Sequence, residues 1–216
     1  MKLSIVIISD THNKHKQIKS EDLPAADVII HCGDFTSMGY GHEISKFMKW
    51  FGNLHQYDNK IVIAGNHDFM FENASVLAKA HVPDNVIYLE DSGVEILGIN
   101  FYGTPVQKPF NNWAFNRPEE KLKQHWEAIP DNTDVLITHS PPYGIRDFGF
   151  YSRDEIGSQS LRDEIINRIR PKISAFGHAH TNHGITEINE IKFINASNLN
   201  DKYEYMYKPI IVELEI

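Results

Sequence analysis

This sequence of 216 residues has a single cysteine and no apolar run as long as a membrane helix. With only Cys32 available, no disulfide can form within the chain, which fits a reducing compartment. A membrane helix needs roughly 18 consecutive apolar residues, and Asp10 interrupts the apolar start too early for a signal-peptide core. We therefore expect a soluble, cytoplasmic protein with no membrane partner.

Positive charge is also scarce, because 21 Lys and Arg stand against 29 Asp and Glu, a formal net charge of −8. Proteins that bind long DNA or RNA carry basic patches, so this balance argues against such a partner. A small phosphate ester remains possible, since bound cations reverse the local field of an acidic site. The chain lacks both G-x-x-x-x-G-K-[ST] and G-x-G-x-x-G, which excludes a phosphate-loop kinase and a dinucleotide dehydrogenase. No feature predicts an oligomeric state.

Short β-branched runs alternate with helical patterns over much of the chain. The predicted strands are residues 3–9, 28–32, 60–64, 135–138 and 172–177, and the predicted helices are 41–54, 72–80, 119–129 and 158–169. This alternation indicates a parallel sheet. A second set of strands, 86–89, 94–97, 99–103, 184–188, 191–195 and 210–214, is separated by short turns, as in hairpins. Two sheets packed together and flanked by helices, in a single domain spanning 1–216, would explain both sets.

Five short polar blocks stand at the ends of the five main predicted strands. They are Asp10-Thr11-His12, Gly33-Asp34, Gly65-Asn66-His67-Asp68, Thr138-His139 and Gly177-His178-Ala179-His180. In open α/β sheets, ligands bind outside the carboxyl ends of the strands. The sequence therefore predicts that these blocks meet at one edge of the fold.

The blocks supply carboxylates, an amide and imidazoles, a mixture that Mn, Fe, Zn and Co all accept. The Asp34 carboxylate can bridge two ions, and two ions roughly 3.5–4 Å apart polarise a phosphoryl group and generate hydroxide near neutral pH. The leaving alkoxide needs a proton, and His67 is the natural donor. Each block alone has an ordinary explanation as a turn or a helix cap. The complete ordered set favours a two-metal hydrolytic site.

This ordered set resembles the signature of the calcineurin-like metallophosphoesterases: D-x-H, G-D, G-N-H-[DE], H and G-H-x-H. The resemblance implies a four-layer α/β/β/α sandwich of two mixed sheets flanked by helices. It also implies that His67 is the catalytic histidine and that Asp68 orients it. The implied ligands are Asp10, His12, Asp34 and His180 for the first metal, and Asp34, Asn66, His139 and His178 for the second.

A narrower resemblance extends over nearly the whole chain. The stretches Tyr102-Gly103-Thr104-Pro105, Asn112-Trp113-Ala114-Phe115-Asn116, Thr138-His139-Ser140-Pro141-Pro142, Arg170-Pro171-Lys172 and Ile194-Asn195-Ala196-Ser197 are similar to the MPPED-type branch. That branch contains small cytoplasmic phosphodiesterases that act on cyclic nucleotides and aryl phosphodiesters. The resemblance thus implies a phosphodiesterase with two divalent ions, manganese before iron, zinc or cobalt, and a bridging hydroxide as nucleophile.

Three alternatives stay open at this point. The first is a phosphomonoesterase, including a protein phosphatase. Protein phosphatases of this superfamily carry G-D-x-x-D-R-G, and the Asp-Arg pair of that motif does not follow Gly33-Asp34 here, so this alternative is disfavoured. A nuclease of this superfamily usually adds a capping domain and a basic groove. A non-catalytic binding scaffold would lack metal ligands or the catalytic histidine, which this chain retains.

Four further residues are candidates for binding substrate: Asn13, Trp113, Arg146 and His183. Trp113 lies in the irregular stretch 105–118, where an aromatic ring can stack on a nucleobase but more often anchors the loop to the core. Arg146 could bind a phosphate oxygen, or pair with Asp147 or Asp154. Asn13 and His183 adjoin metal blocks, which places them at the predicted cleft.

Overall fold

The computed structural model describes residues 2–150 and 152–215. The strands are β1 (Lys2–Ile8), β2 (Ala26–His31), β3 (Tyr57–Val62), β4 (Ile87–Tyr88), β5 (Ser92–Ile96), β6 (Ile99–Thr104), β7 (Val135–Thr138), β8 (Phe148–Gly149), β9 (Asp154–Glu155), β10 (Ile173–Phe176), β11 (Gly184–Ile188), β12 (Ile191–Asn195) and β13 (Ile210–Glu215). The helices are α1 (Gly41–Gly52), α2 (Phe69–Asn73), α3 (Ser75–Lys79), α4 (Glu119–Glu127) and α5 (Gln159–Glu164), the last followed by a π-helical turn at Ile165–Ile169. None of these helices is both long and apolar enough to cross a bilayer.

Two mixed sheets carry the fold. The first has the strand order β13-β1-β2-β3-β4, and the second has the order β11-β12-β10-β7-β6-β5. Parallel pairs run through the middle of each sheet, and antiparallel strands lie at edges: β13 beside β1, β5 beside β6, and β11 beside β12. Since parallel strands point the same way, their carboxyl ends form a common edge.

Three apolar clusters separate four layers. The central cluster joins side chains of both sheets, for example Ile30 of β2 and Ile137 of β7. A second cluster packs the outer face of the first sheet against α1 and α2, and a third packs the outer face of the second sheet against α4 and α5. Strands buried on both faces read as continuous apolar runs, which is why the sequence pattern located them. The predicted α/β/β/α sandwich is confirmed.

Three details differ from the sequence-based expectations. Residues 210–214 were expected among the hairpin strands, but β13 pairs antiparallel with β1, with Ile210 opposite Ile7. Residues 86–89 were expected in a hairpin, but β4 pairs in parallel with β3, with Ile87 opposite Ile61. The crossover through α2 and α3 returns the chain alongside β3 and so fixes this direction. The helix expected over 72–80 is two short helices, because Ala74 adopts a non-helical conformation (φ −148°, ψ 53°) between them.

His15 lies buried against α1, with 2% of its surface exposed. Its ring meets Phe47 edge-on at 5.6 Å between centroids and lies 5.0 Å from Trp50. Neither ring nitrogen has a hydrogen-bond partner among residues 2–150 and 152–215. Burial lowers the pKa of His15 to about 4, so the imidazole is neutral at physiological pH.

We expect His15→Phe to stabilise the metal-free protein by about 1–2 kcal/mol at pH 7.5, because it removes two unpaired polar atoms and keeps a planar ring. Below pH 6.5 the unfolded histidine takes up a proton that the folded one refuses, so wild-type stability falls as the pH drops towards 4. The advantage of the variant should widen by roughly 1–2 kcal/mol between pH 6.5 and 5. Urea unfolding of the wild type and the variant with a chelator present, at pH 6.5 and at pH 5, measures the difference in their free energies of unfolding. An advantage that does not change with pH would contradict it.

Candidate metal centre

The five polar blocks meet at the common carboxyl edge of the two sheets. Asp10 follows β1, Asp34 follows β2, and His139 directly follows β7. Backbone hydrogen bonds join the loops, from Asp10 N–H to the Gly33 carbonyl and from His12 N–H to the Asp34 carbonyl, both 3.0 Å. Each ligand-bearing loop is therefore positioned by its neighbours as well as by its own strand.

Four of the candidate ligands adopt the left-handed backbone conformation, in which non-glycine residues are strained by about 1–2 kcal/mol each. They are Asp10 (φ 52°), His12 (φ 36°), Asp34 (φ 57°) and His178 (φ 67°). These turns reverse the chain at the strand ends and aim each side chain inward. Strain concentrated at one polar site is typical of functional sites, where the surrounding contacts maintain it.

The ligand atoms fall into three overlapping clusters, each within 4.8 Å: Asp10, His12 and His180; His12, Asp34 and His67; and Asp34, His139 and His178. The Oδ2 atom of Asp34 lies 3.7 Å from His12 Nε2 and 3.4 Å from His139 Nε2. His180 Nε2 is 3.4 Å from Asp10 Oδ1, and Asn66 Oδ1 is 3.0 Å from His139 Nε2. Asp34 therefore lies between the two expected metal positions.

Backbone carbonyls fix the tautomers of four imidazoles. Each Nδ1 lies within hydrogen-bond distance of a carbonyl oxygen: His12 of Thr36 (3.2 Å), His67 of Ser37 (2.7 Å), His139 of Cys32 (2.9 Å) and His180 of Asn200 (3.1 Å). A carbonyl only accepts, so each Nδ1 must carry the hydrogen. In the neutral rings every Nε2 then keeps its lone pair for the centre, as a metal-binding histidine requires.

The charge states also fit divalent cations. Burial opposes ionisation of Asp10 and Asp34, yet the neighbouring histidines, led by His180 and His139, hold the pKa of both carboxyls below the usual range. Burial lowers the pKa values of His12 and His178 to about 3, which keeps these rings neutral. The Asp34 carboxylate outweighs burial and raises the pKa of His139 to about 9, so a cation binding there would displace a proton. The residues present fit a pair of divalent ions.

Gly177 holds its loop in contact with Asp10. A Cβ at this position would collide with the Asp10 carboxylate and with Ser9 Oγ. We expect Gly177→Ala to displace the carboxylate and lower the metal content measured by atomic emission from two ions per chain towards one. Gly98→Ala is the control, because its added Cβ meets nothing within 4 Å although its φ is +79°. Two firmly bound ions in Gly177→Ala would contradict the expectation.

The contacts of Asp68 differ from those expected. Its carboxylate does not hold His67, whose Nδ1 is held by the Ser37 carbonyl. Instead it accepts hydrogen bonds from the N–H groups of Asp34 (2.9 Å), Thr36 (2.9 Å) and Gly65 (2.8 Å) and from Thr36 Oγ1 (2.6 Å). Asp68 thus ties together the loops after β2 and β3. It shapes the backbone around Asp34 and the start of the loop that carries His67, and its carboxylate makes no direct hydrogen bond to the His67 ring.

Trp113 lies against the catalytic candidate. Its ring centroid is 4.0 Å from that of His67 and 5.5 Å from that of Phe69. The segment is fixed where Ala114 N–H donates to the Asn66 carbonyl at 3.1 Å, and Phe115 is buried in the outer core. The loop is therefore anchored to the core, and Trp113 supports one face of the His67 ring.

None of the four substrate candidates lies in the described lining of the cleft that opens over the centre. The Asn13 amide donates to Ser37 Oγ at 3.0 Å and to Glu43. The Arg146 guanidinium donates to the backbone carbonyls of Asn182, His183 and Ile185, and so it pairs with neither Asp147 nor Asp154. His183 stacks on Tyr207 at 4.8 Å. All three of these residues brace loops around the centre, and Arg146 does so through its two terminal nitrogens, while its Nε has no partner among the described residues.

A cleft of about 300 Å³ opens over the centre, and its lining includes Asp34, His67, His178 and His180. Sequence reasoning missed one prominent member of its wall. The Tyr203 ring lies 4.9 Å from that of His12 and 5.3 Å from that of His180. No motif surrounds Tyr203, and only the return of the chain after β12 brings it to the metal ligands.

The sandwich and the ligand clusters that share Asp34 define a metallophosphoesterase. Comparison with known proteins agrees with this class. The family described as "Calcineurin-like phosphoesterase" matches residues 3–182. The chain is 34% identical to human metallophosphoesterase domain-containing protein 1, over 97% of this chain and 70% of that protein. It is also 34% identical to a UPF0046 protein of Caenorhabditis elegans, over 100% of this chain and 82% of that protein.

Solved structures share the fold. One matches with a TM-score of 0.70 and 16% identity, covering 90% of both chains. A putative 5′-nucleotidase from Staphylococcus aureus matches with a TM-score of 0.57 and 13% identity, over 98% of this chain and 54% of that one. The chain belongs to the calcineurin-like phosphoesterase family, and its histidine and aspartate clusters indicate a dinuclear site for divalent metal ions.

Proposed function

We propose that this protein is a metal-dependent phosphodiesterase that hydrolyses small phosphodiesters such as cyclic nucleotides, with Asp10, His12, Asp34, Asn66, His139, His178 and His180 as metal ligands. The observation that carries the proposal is the shared position of Asp34 between two ligand clusters, with His67 at their edge. When bound, the two ions would polarise the phosphoryl oxygens and supply a hydroxide near neutral pH. Manganese is the metal we would test first.

His67 is placed to serve the leaving group. Its Nδ1 donates to the Ser37 carbonyl, so Nε2, which lies 4.0 Å from Asp34 Oδ2, is the ring atom that would gain a proton in the cationic form and give it to the leaving group. Hydrolysis breaks one P–O bond, and the departing alkoxide takes the Nε2 proton to leave as an alcohol. One water is consumed, and its remaining proton restores His67. The products are a phosphomonoester and an alcohol.

The charge of the cleft favours a diester over a monoester. A diester carries one negative charge, whereas a monoester carries about two at neutral pH. Within the described lining, Lys108 is the one Lys or Arg side chain, and its Nζ already donates to the Gly157 carbonyl at 3.1 Å. No guanidinium of the described lining is available to bind the additional charge of a monoester.

The test compares bis(p-nitrophenyl) phosphate with p-nitrophenyl phosphate, using chelated protein reloaded with Mn²⁺. We expect turnover that requires metal and a higher kcat/KM for the diester. Faster hydrolysis of the monoester would replace the proposal with a phosphomonoesterase. No hydrolysis of either ester by protein that binds metal would favour a binding role. The 2′,3′- and 3′,5′-cyclic nucleotides are the next substrates to compare.

A further inference from the structure

Exposed aromatic side chains surround the mouth of the cleft. Phe110, Phe148, Phe150 and Tyr203 all line it, with 48%, 48%, 56% and 40% of their surfaces exposed. Large aromatic residues normally bury most of their surface, so four exposed rings around one opening mark a contact surface. The rings face the same space as the metal ligands and are not scattered over the molecule.

Two of these rings flank the centre itself. Tyr203 lies beside His12 and His180, which belong to the first metal position, and the Phe110 ring is 6.1 Å from that of His178 at the second. A phosphodiester held at the metals therefore has aromatic surface on either side. The Tyr203 ring also lies 6.3 Å from that of His67, where one ester group would depart, so the retained group would lie on the side of Phe110 and His178.

The aromatic rim is also acidic. Apart from the metal ligands, the described lining carries three carboxylates, Asp154, Glu155 and Asp201, against the single Lys108. In the hairpin of β8 and β9, Phe148 lies directly opposite Glu155. Cross-strand partners project from the same face of a hairpin, so this ring and this carboxylate stand side by side.

A buried oxygen adds to the negative potential of the wall. Gln107 lines the cleft and is 1% exposed, and its Oε1 has no hydrogen-bond partner among residues 2–150 and 152–215. Its amide nitrogen is already committed to Asn116 Oδ1 at 3.0 Å. This oxygen is itself inaccessible to a ligand, so it contributes negative potential to the wall and no direct contact.

Aromatic faces combined with carboxylates are the surroundings in which proteins bind ammonium groups. We propose that the rim formed by Phe110, Phe148, Tyr203 and Glu155 selects small phosphodiesters in which the ester group retained at the rim carries an ammonium cation, as in esters of amino alcohols. This inference rests on the proposed function and narrows it from small phosphodiesters in general to cationic ones. An uncharged ester group gains only the apolar contact.

The decisive comparison uses two diesters that share a leaving group. p-Nitrophenyl phosphorylcholine carries a trimethylammonium group, and its 3,3-dimethylbutyl analogue replaces that nitrogen by carbon at the same size. We expect kcat/KM to be about tenfold higher for the cationic ester, a factor within the range of cation–π and ion-pair contacts. The preference should shrink as ionic strength rises from about 0.01 M to about 1 M, where the Debye length falls from about 30 Å to about 3 Å. Equal values for the two esters would overturn the inference.

Charge-neutralising variants locate the effect. Glu155→Gln combined with Asp154→Asn should bring the ratio between the two esters close to one. The matched control is Glu95→Gln combined with Glu120→Gln, which removes the same charge from exposed positions outside the described cleft lining. This control should keep the wild-type ratio. The same fall in both double variants would show a general effect of net charge and would overturn the rim assignment.

A binding measurement on metal-free protein separates this inference from the proposed function. Saturation-transfer NMR should show contact between choline methyl protons and the protein, weakened in the Glu155 and Asp154 double variant and weaker for 3,3-dimethylbutanol, which gains only the apolar contact. Choline binding without hydrolysis of any diester would sink the phosphodiesterase proposal and leave the cation site standing. Hydrolysis of diesters without choline contact and without preference for the cationic ester would support the phosphodiesterase proposal and overturn the cation site.

Discussion

Asp34→Asn should cost the protein at least one of its two metal ions and reduce turnover of bis(p-nitrophenyl) phosphate by at least ~10³-fold, equivalent to about 4 kcal/mol of transition-state stabilisation. The reason is the position of the carboxylate, since Asp34 alone belongs to the cluster with His12 and the cluster with His139 and His178. An amide offers one oxygen and no charge, so it cannot bridge two cations. Metal content by atomic emission and kcat under saturating Mn²⁺ are the two measurements.

The substitution is conservative enough to be informative. The asparagine oxygen can still accept the His67 N–H, which donates to Asp34 Oδ1 at 2.7 Å, so the loop after β3 keeps its anchor. Asp58→Asn, at an exposed position of β3, removes the same charge away from the site and serves as the control. Two ions per chain together with wild-type turnover in Asp34→Asn would refute the bridging role.

The sequence predicted the layers because the buried strands are continuous apolar runs. Residues 135–138 and 28–32 are buried, and each reads as a short, mainly apolar and β-branched run whose length and flanking polar or glycine residues indicate a strand. The direction of β4 was not predictable in the same way. Two paired residues carry little pattern, and whether they join a hairpin or a parallel edge depends on where the preceding crossover packs.

The candidate site likewise has a part that the sequence predicts and a part that it does not. The meeting of the candidate ligands was predictable because each belongs to a block at a strand end, and the carboxyl ends of parallel strands meet. The role of Asp68 was not readable, because a buried carboxylate binds whichever N–H groups face it. Those donors come from Asp34, Thr36 and Gly65, and the approach of two loops decides which are near.

The cleft wall was the least predictable part. Tyr203 and Phe148 belong to no block, and each reaches the cleft wall through a segment whose path depends on tertiary packing. Arg146 shows the opposite error. Its charge suggested a role in binding phosphate, but its guanidinium donates hydrogen bonds to three backbone carbonyls. Residue chemistry predicts what a side chain can do, and only its surroundings decide whether it is available.

The same reasoning makes His67→Ala the sharper of the two tests, because its effect should depend on the leaving group. An alkoxide leaves only if it is protonated, so loss of the donor should lower kcat on an alkyl diester by about 10²–10⁴-fold. p-Nitrophenolate is a stable anion and needs little help, so the loss on bis(p-nitrophenyl) phosphate should be much smaller. Steady-state rates on the two esters measure the contrast.

Metal content distinguishes this variant from Asp34→Asn. The ligand set proposed for the two ions does not include the His67 ring, so His67→Ala should still bind two ions. Trp113→Phe is the matched control, because it keeps an aromatic ring against the imidazole, where the tryptophan now lies at 4.0 Å, and leaves the proton donor in place. If His67→Ala lowers the hydrolysis rate of both esters equally, or binds fewer than two ions, His67 would be assigned to metal binding instead of proton transfer. A selective loss on the alkyl ester with two ions bound places the proton that reaches the leaving oxygen on His67 Nε2.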